Sequence, residues 1–271
     1  FGIQRVLPGE VVLSLDYVGT KGTHLSSLRN LNQQQFNPNG SPGGLATVRF
    51  PRLGAIEYRD SNVNSVYHGM DVSLEKRFSR GLSFGLGYTW SKSIDSAMEH
   101  LFSGGSSSFL QYAHDLRQQR GRSDFDYRHR LGINYTWEPP LGKGRARLAE
   151  GPAGYILGNW RISGLTAMRS GRPFTIFHSG NNSAVGVPGG LANALADCLS
   201  DGTLPTGQRH PDRWFNTSSY AAPPAPRVLG TCGRNTLDGP GLVNFDFSLS
   251  RTFPYFGEGR SLEFRWETFN L

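Results

Sequence analysis

The sequence predicts an all-β fold: a segment of an antiparallel transmembrane β-barrel with long extracellular loops. Three observations predict it. Residues from Met70 to Trp90 read as a hairpin with one bulky apolar face and one small, hydroxylic or charged face. The same alternation returns along the chain to give about seven or more strands. The connections between those strands are long and short by turns, as in outer-membrane barrels, whose periplasmic turns are brief and whose outer loops are extended. A soluble β-sandwich also alternates apolar and polar residues, but it has no reason to place every long loop at one end.

In chain order, the first strand covers Val11 to Val18, with Val11, Leu13, Leu15 and Tyr17 on one face, and the Gly19-Thr20-Lys21-Gly22 cluster predicts a turn after it. From Thr23 to about Ser65 the chain is rich in Asn, Gln, Pro and Gly, which predicts a long loop with a short strand near Ala55 to Tyr58. The hairpin follows. Met70, Val72 and Leu74 alternate with Asp71, Ser73, Glu75 and Arg77. After a tight Ser79-Arg80-Gly81 break, Leu82, Phe84, Leu86, Tyr88 and Trp90 share one face. A second polar stretch runs from Lys92 to about Asp124. Then His129, Leu131, Ile133, Tyr135 and Trp137 alternate with Arg128, Arg130, Gly132, Asn134 and Thr136. A shorter link leads to a strand over Trp160 to Met168, whose polar face is blurred by Leu165 and Ala167. The longest loop, about His178 to Gly241, contains both cysteines. Val243 to Leu249 and Leu262 to Trp266 form the last two strands, joined across Pro254 to Gly259. Aromatics gather at strand ends: Tyr88 and Trp90 toward the outer rim, and Phe78, Trp137, Trp160 and Phe253 toward the periplasmic rim.

Composition narrows the class. Only 37% of the 271 residues are hydrophobic, and no apolar run approaches the roughly 18 residues of a membrane helix. A helical membrane protein is thereby excluded; a barrel is not, since its strands average to moderate hydropathy. The chain has 28 basic and 21 acidic residues, net +7. Its arginines fall at strand ends and within strands, so no nucleic-acid partner is expected. Phe1 and Leu271 both fall inside strand patterns, so the chain reads as one partial barrel domain, 1–271, of something longer. Seven strands cannot close a bacterial barrel, and open edges in lipid leave backbone groups unpaired, so further strands are expected beyond these residues.

No catalytic constellation is present: there is no G-x-S-x-G, H-E-x-x-H, P-loop or G-x-G-x-x-G pattern, so an enzyme is not expected and no cofactor is implied. His100, His114, Asp115, Asp124 and Asp126 match no metal-ligand spacing and read as solvated loop residues. Asp124 and Asp126 are expected to pair with Arg128 and Arg130. Asp71, Glu75, Arg77, Arg128 and Arg130 are candidates to face the lumen, as charge ladders that hold register or as contacts for plug or solute. Trp214 and Tyr220 are candidates to catch a ligand in the long loop, or are simply packed there. Cys198 and Cys232 lie in one loop; paired, they close a 34-residue segment, worth roughly 3–4 kcal/mol of loop entropy. Two free thiols remain the alternative.

A resemblance adds to this reading. The runs Tyr58-Arg59-Asp60-Ser61-Asn62, Tyr67-His68-Gly69-Met70 and Leu74-Glu75-Lys76-Arg77-Phe78-Ser79-Arg80-Gly81-Leu82 come first. Tyr88-Thr89-Trp90-Ser91-Lys92-Ser93, the run from Arg120 to Arg130, Ser170-Gly171-Arg172-Pro173-Phe174-Thr175 and the final Phe264 to Leu271 follow in order. This series resembles the barrel of TonB-dependent outer-membrane receptors, and within them the Oar-like group. The resemblance implies a parent barrel of about 22 strands with a plug in its lumen. It also implies outer-membrane lipid around the wall, import of a solute, and energy from the TonB complex through an N-terminal region outside 1–271. The alternatives are a secreted or surface β-sandwich that binds carbohydrate or adheres, and a passive porin-like protein.

Overall fold

The computed structural model describes residues 1–96, 111–142, 147, 151–178, 180, 185, 194–254 and 260–271. Its main feature is one antiparallel sheet. The long strands are β1 (Gly2–Leu7), β2 (Val11–Asn30), β3 (Glu57–Ser79), β4 (Leu82–Asp95), β6 (His129–Trp137), β7 (Trp160–Arg169), β12 (Leu242–Pro254) and β13 (Ser261–Thr268), each beside its neighbour in chain order. A short β5 (Gly121–Arg122) adds to the end of β4. Four two-residue strands, β8 (Pro173–Phe174), β9 (Asp197–Cys198), β10 (Tyr220–Ala221) and β11 (Leu237–Asp238), pair within the loops.

Register carries the alternation from strand to strand. Leu13, Leu74, Leu86, Ile133, Thr166 and Phe245 stand opposite one another in a continuous row, and Leu15, Val72, Tyr88, Leu131, Met168 and Val243 form the next. The opposite face has its own rows, such as Asp16, Asp71, Thr89, Arg130 and Arg169. Because the side-chain period is two, one register keeps these bulky rows together on one side of the sheet, while Val12, Val18 and Leu165 lie on the other.

No second layer covers that side among the described residues. Trp90 is 50% exposed, Trp137 43% and Trp266 52%. Of the buried apolar side chains, Val63 alone lies on a long strand; the others, from Ala113 to Leu237, belong to the loops. A sandwich would bury the apolar face of its sheet against another, so the sandwich alternative fails on this observation. From Leu82 to Trp90 the apolar face of β4 runs eight residue steps. At about 3.3 Å per step that is about 26 Å along the strand, or about 19–22 Å across the membrane at the 35–45° tilt of such strands, which fits within the roughly 25 Å apolar band of an outer-membrane barrel.

Three sequence expectations need correction. The Gly19-Thr20-Lys21-Gly22 cluster does not end its strand: Gly19 pairs with His68 and Lys21 with Val66. Its turn chemistry is absorbed as a register shift after Gly22, next to His24 at φ 57. A paired partner strand outweighs a local turn preference. Consequently β2 and β3 run to 20 and 23 residues, and the loop between them shrinks to residues 31–56. The membrane needs only about 9–11 residues of strand, so this hairpin continues well past the apolar band. The first strand, β1, is absent from the sequence reading because Ile3, Arg5 and Leu7 do not alternate cleanly. The third correction is a short helix, α1 (Gly151–Leu157), in the β6–β7 link.

The β3–β4 turn behaves as read, while the link read over Pro254 to Gly259 lies, beyond Pro254, outside the described residues. Arg80 and Gly81 join β3 to β4 with φ 51 and 80, the left-handed pair that a two-residue hairpin turn requires. The long connections, β2–β3, β4–β6 and β7–β12, all leave the same end of the sheet.

Candidate functional site

Those three loops do not splay apart. They meet in one cap, and the side chains that join them are polar. Gln33, from the β2–β3 loop, is 2% exposed. Its Nε2 donates to the carbonyls of Gln111 and Val185, both at 2.8 Å, and its Oε1 accepts from the Ala113 amide at 2.6 Å. Gln111, from the β4–β6 loop, is equally buried. Its Oε1 accepts from the amides of Leu195 at 2.8 Å and Gly230 at 2.9 Å, and its Nε2 donates to the Gly230 carbonyl at 3.1 Å. Two amide side chains thus tie the three loops together, one from the β2–β3 loop and one from the β4–β6 loop, by satisfying backbone groups of the β4–β6 and β7–β12 loops.

The cap is fixed to the sheet by Arg234, which is 3% exposed. Its guanidinium donates to the carboxylate of Asp95 at the end of β4 and lies 3.8 Å from Asp124. Beside it Asn235 donates to the Arg122 carbonyl at 2.7 Å and to Asp124. Within the cap, Cys198 and Cys232 form a disulfide with Cα atoms 4.9 Å apart. Leu195, Ala196 and Cys232 make a small core against which Ile176 and Tyr220 pack. Arg227 donates to both oxygens of Asp197, one at 2.8 Å, and the Thr231 amide adds a third bond at 3.0 Å. Arg227, seconded by Thr231, holds the Asp197 carboxyl below its ordinary value.

Trp214 donates its Nε1 to the Asp238 carbonyl at 2.6 Å, with Arg209 over its ring. Tyr220 lies edge-on to Phe215, 5.6 Å between centroids. Burial pushes its phenol up, and Asp201 adds to this. Both rings are half-buried: Tyr220 packs on Phe215, and Trp214 is held by Asp238 at its N–H and by Arg209 at its face.

On the polar face of the sheet, Asp71 accepts from Thr89 at 2.5 Å, and Glu75 stands opposite Gly85. Arg77 is exposed near the β3–β4 turn. Arg128 lies beside Ser91, whose amide donates to its carbonyl. Arg130 and Arg169 pair directly and both lie 4.7 Å over the Tyr127 ring. The expected ladders of opposite charge therefore do not form. Thr89 stands between Asp71 and Arg130 in their row, and the ring of Tyr127 takes both guanidinium groups instead. Asp126 and Asp124 likewise pair with Arg122 and Arg234, not with Arg128 and Arg130. These choices depend on loop folding, which strand alternation does not encode.

His100 lies outside the described residues. His114 hydrogen-bonds the Gln33 carbonyl at 3.1 Å, and Asp115 accepts from the Arg117 amide at 3.0 Å. Among the described residues no three His, Cys, Asp or Glu side chains gather as a metal site. Sequence reasoning missed Gln33, Gln111 and Arg234. The Asn- and Gln-rich composition after Leu31 was the one available signal for Gln33.

Comparison with known proteins agrees with this architecture. A family model described as an outer membrane beta barrel domain matches residues 1–271. No curated protein matches the chain. Among solved structures, the outer membrane transporter YddB from Escherichia coli is similar, with 10% sequence identity and a TM-score of 0.49. The alignment covers 100% of this chain and 27% of that one. A single sheet with an uncovered apolar face, one-sided long loops and a family model matched from end to end give one conclusion: the chain belongs to the outer-membrane β-barrel family and resides in the outer membrane.

Proposed function

We propose that the chain is part of the wall and surface cap of a TonB-dependent receptor, of the Oar-like group, that binds a solute outside the cell and imports it. The observation that carries this reading is the cap. Passive pores need an open mouth, whereas here three loops are bound together by buried glutamines and a disulfide. An ordered surface of this kind suits capture of a scarce solute.

In this reading the long loops face outward and the short turns face the periplasm. Asp71, Glu75, Arg77, Arg128 and Arg130 look into the lumen, where they meet plug or solute. Trp214 offers a ring at the mouth. β1 and β13 each have one neighbour in the sheet, and β13 is exposed along almost its whole length. Unpaired backbone in lipid costs several kcal/mol per group, so both edges pair with further strands of the same barrel. The chain is one partial domain in this scheme and carries no catalytic chemistry.

Uptake tests the proposal. Cells that express the full-length parent should accumulate its solute only while the TonB complex and proton-motive force are intact. Uptake that survives deletion of TonB would make the protein a passive pore.

A further inference from the structure

Charge on the polar face is sorted by strand. One row crosses the sheet from β2 to β7 as Asp16, Asp71, Thr89, Arg130 and Arg169. Its two carboxylates are direct cross-strand partners, and so are its two arginines. Like charges directly opposite one another oppose pairing, and alternating the four along the row would have removed both repulsions. Among the described residues neither arginine has a carboxylate partner. Each lies over the ring of Tyr127, which cancels no charge. The acids of the adjoining loop are engaged elsewhere, Asp126 by Arg122 and Asp124 by Arg234 and Asn235. At the acidic end Asp71 accepts from the Thr89 hydroxyl, and Asp16 is exposed.

The next row toward the short turns is small throughout: Ser14, Ser73, Gly87, Gly132 and Ala167. Gly87 and Gly132 stand opposite one another, and a Cβ on either would meet nothing within 4 Å. The row after that rises again with Val12, Glu75, Asn134 and Leu165. A shallow trough therefore crosses the strands beside the charged row. Glu75 adds to its acidic end. Asp246, on β12 beyond the basic end, accepts from Asn244 and from the Asn270 amide.

A strand spacing of about 4.8 Å puts Asp71 and Arg130 about 10 Å apart across the sheet, and Asp16 and Arg169 about 19 Å apart. An extended peptide covers about 3.3–3.6 Å per residue, so about three to five residues match that span and a single amino acid does not reach. We propose that the trough binds a short zwitterionic peptide laid across the strands, its α-carboxylate on Arg130 and Arg169 and its α-ammonium on Asp16 and Asp71. This names a solute class for the receptor reading above, and it rests on that reading for the inward orientation of the polar face. Opposite charges at the two ends of one track fit a ligand with opposite charges at its own ends. A simple anion would satisfy the arginines and leave the acidic pair unmatched.

The test is calorimetric titration of the full-length protein in nanodiscs with tetra-alanine, its N-acetylated form, its C-terminal amide and free alanine. Tetra-alanine should bind, and either terminal block should weaken it roughly tenfold or more, the weight of a charge-assisted hydrogen bond. In Arg130→Gln with Arg169→Gln the amide should lose nothing further while N-acetylation still does. In Asp16→Asn with Asp71→Asn the pattern should reverse. Gly132→Val, which fills the trough without a clash and leaves every charge in place, should weaken tetra-alanine as well. Unheated gel migration reports folding of each variant. No binding of tetra-alanine, equal binding of free alanine, or an amidation loss that persists in the arginine variant would overturn the assignment. Indifference to N-acetylation would reduce the trough to an anion site, and an unaffected Gly132→Val would remove the peptide from it; both overturn the proposal. The titration needs no TonB, so uptake that survives loss of TonB would count against the receptor reading alone.

Discussion

Charge placed on the two faces of one strand gives the sharpest test of this architecture. Leu86 sits in the middle of the apolar band, between Leu74 and Ile133, and Ser83 lies on the polar face of the same strand opposite Thr136. Lysine at Leu86 would lie about 12 Å from either edge of a roughly 25 Å band, farther than its four-carbon stem reaches. Its neighbours in the row supply no acceptor. The expected cost is about 2–4 kcal/mol, the range found for basic residues at the bilayer midplane, which is roughly 30- to 700-fold in the folding equilibrium. Ser83→Lys meets hydroxyls and the polar interior and should cost under 1 kcal/mol. Equilibrium unfolding of the protein from lipid vesicles in denaturant, read by tryptophan emission, measures both. Equal costs for the two variants would refute the assignment of faces, and a cost for Ser83→Lys alone would invert it.

The remaining predictions concern the cap. Gln111→Ala strands the amides of Leu195 and Gly230 and should destabilise the cap by about 2–4 kcal/mol; hydrogen exchange in residues 194–232 should accelerate while the strands stay protected. Reduction of Cys198–Cys232, or Cys→Ser at both, releases a 34-residue constraint and should cost about 3–4 kcal/mol, seen as faster protease cleavage of the loop in the folded barrel. Asp197 binds its proton more weakly in the folded cap than in an unfolded chain. Its contribution is therefore complete above the ordinary value of 3.8 and is lost as pH falls through the lower, folded value. Exchange measured across that acid range should show cap opening that Asp197→Asn abolishes, because Asn has no charge to lose.

What the sequence by itself determined was the wall. Alternation with period two is local: Leu82, Phe84, Leu86, Tyr88 and Trp90 declare one face without reference to any other part of the chain, and turn residues such as Arg80-Gly81 declare where the strand reverses. The apolar rows then follow, since only one register joins all such faces. Tertiary structure decided what local pattern cannot reach. Whether Gly19 to Gly22 ends a strand depends on whether a partner strand lies beside it, and β3 does. Which cation Asp126 meets depends on how the loop folds back to bring Arg122 to it. Gln33 and Gln111 carry no periodic signal, because a side chain that satisfies backbone groups across loops is selected by positions in space that lie about 80 and 120 residues apart in the chain.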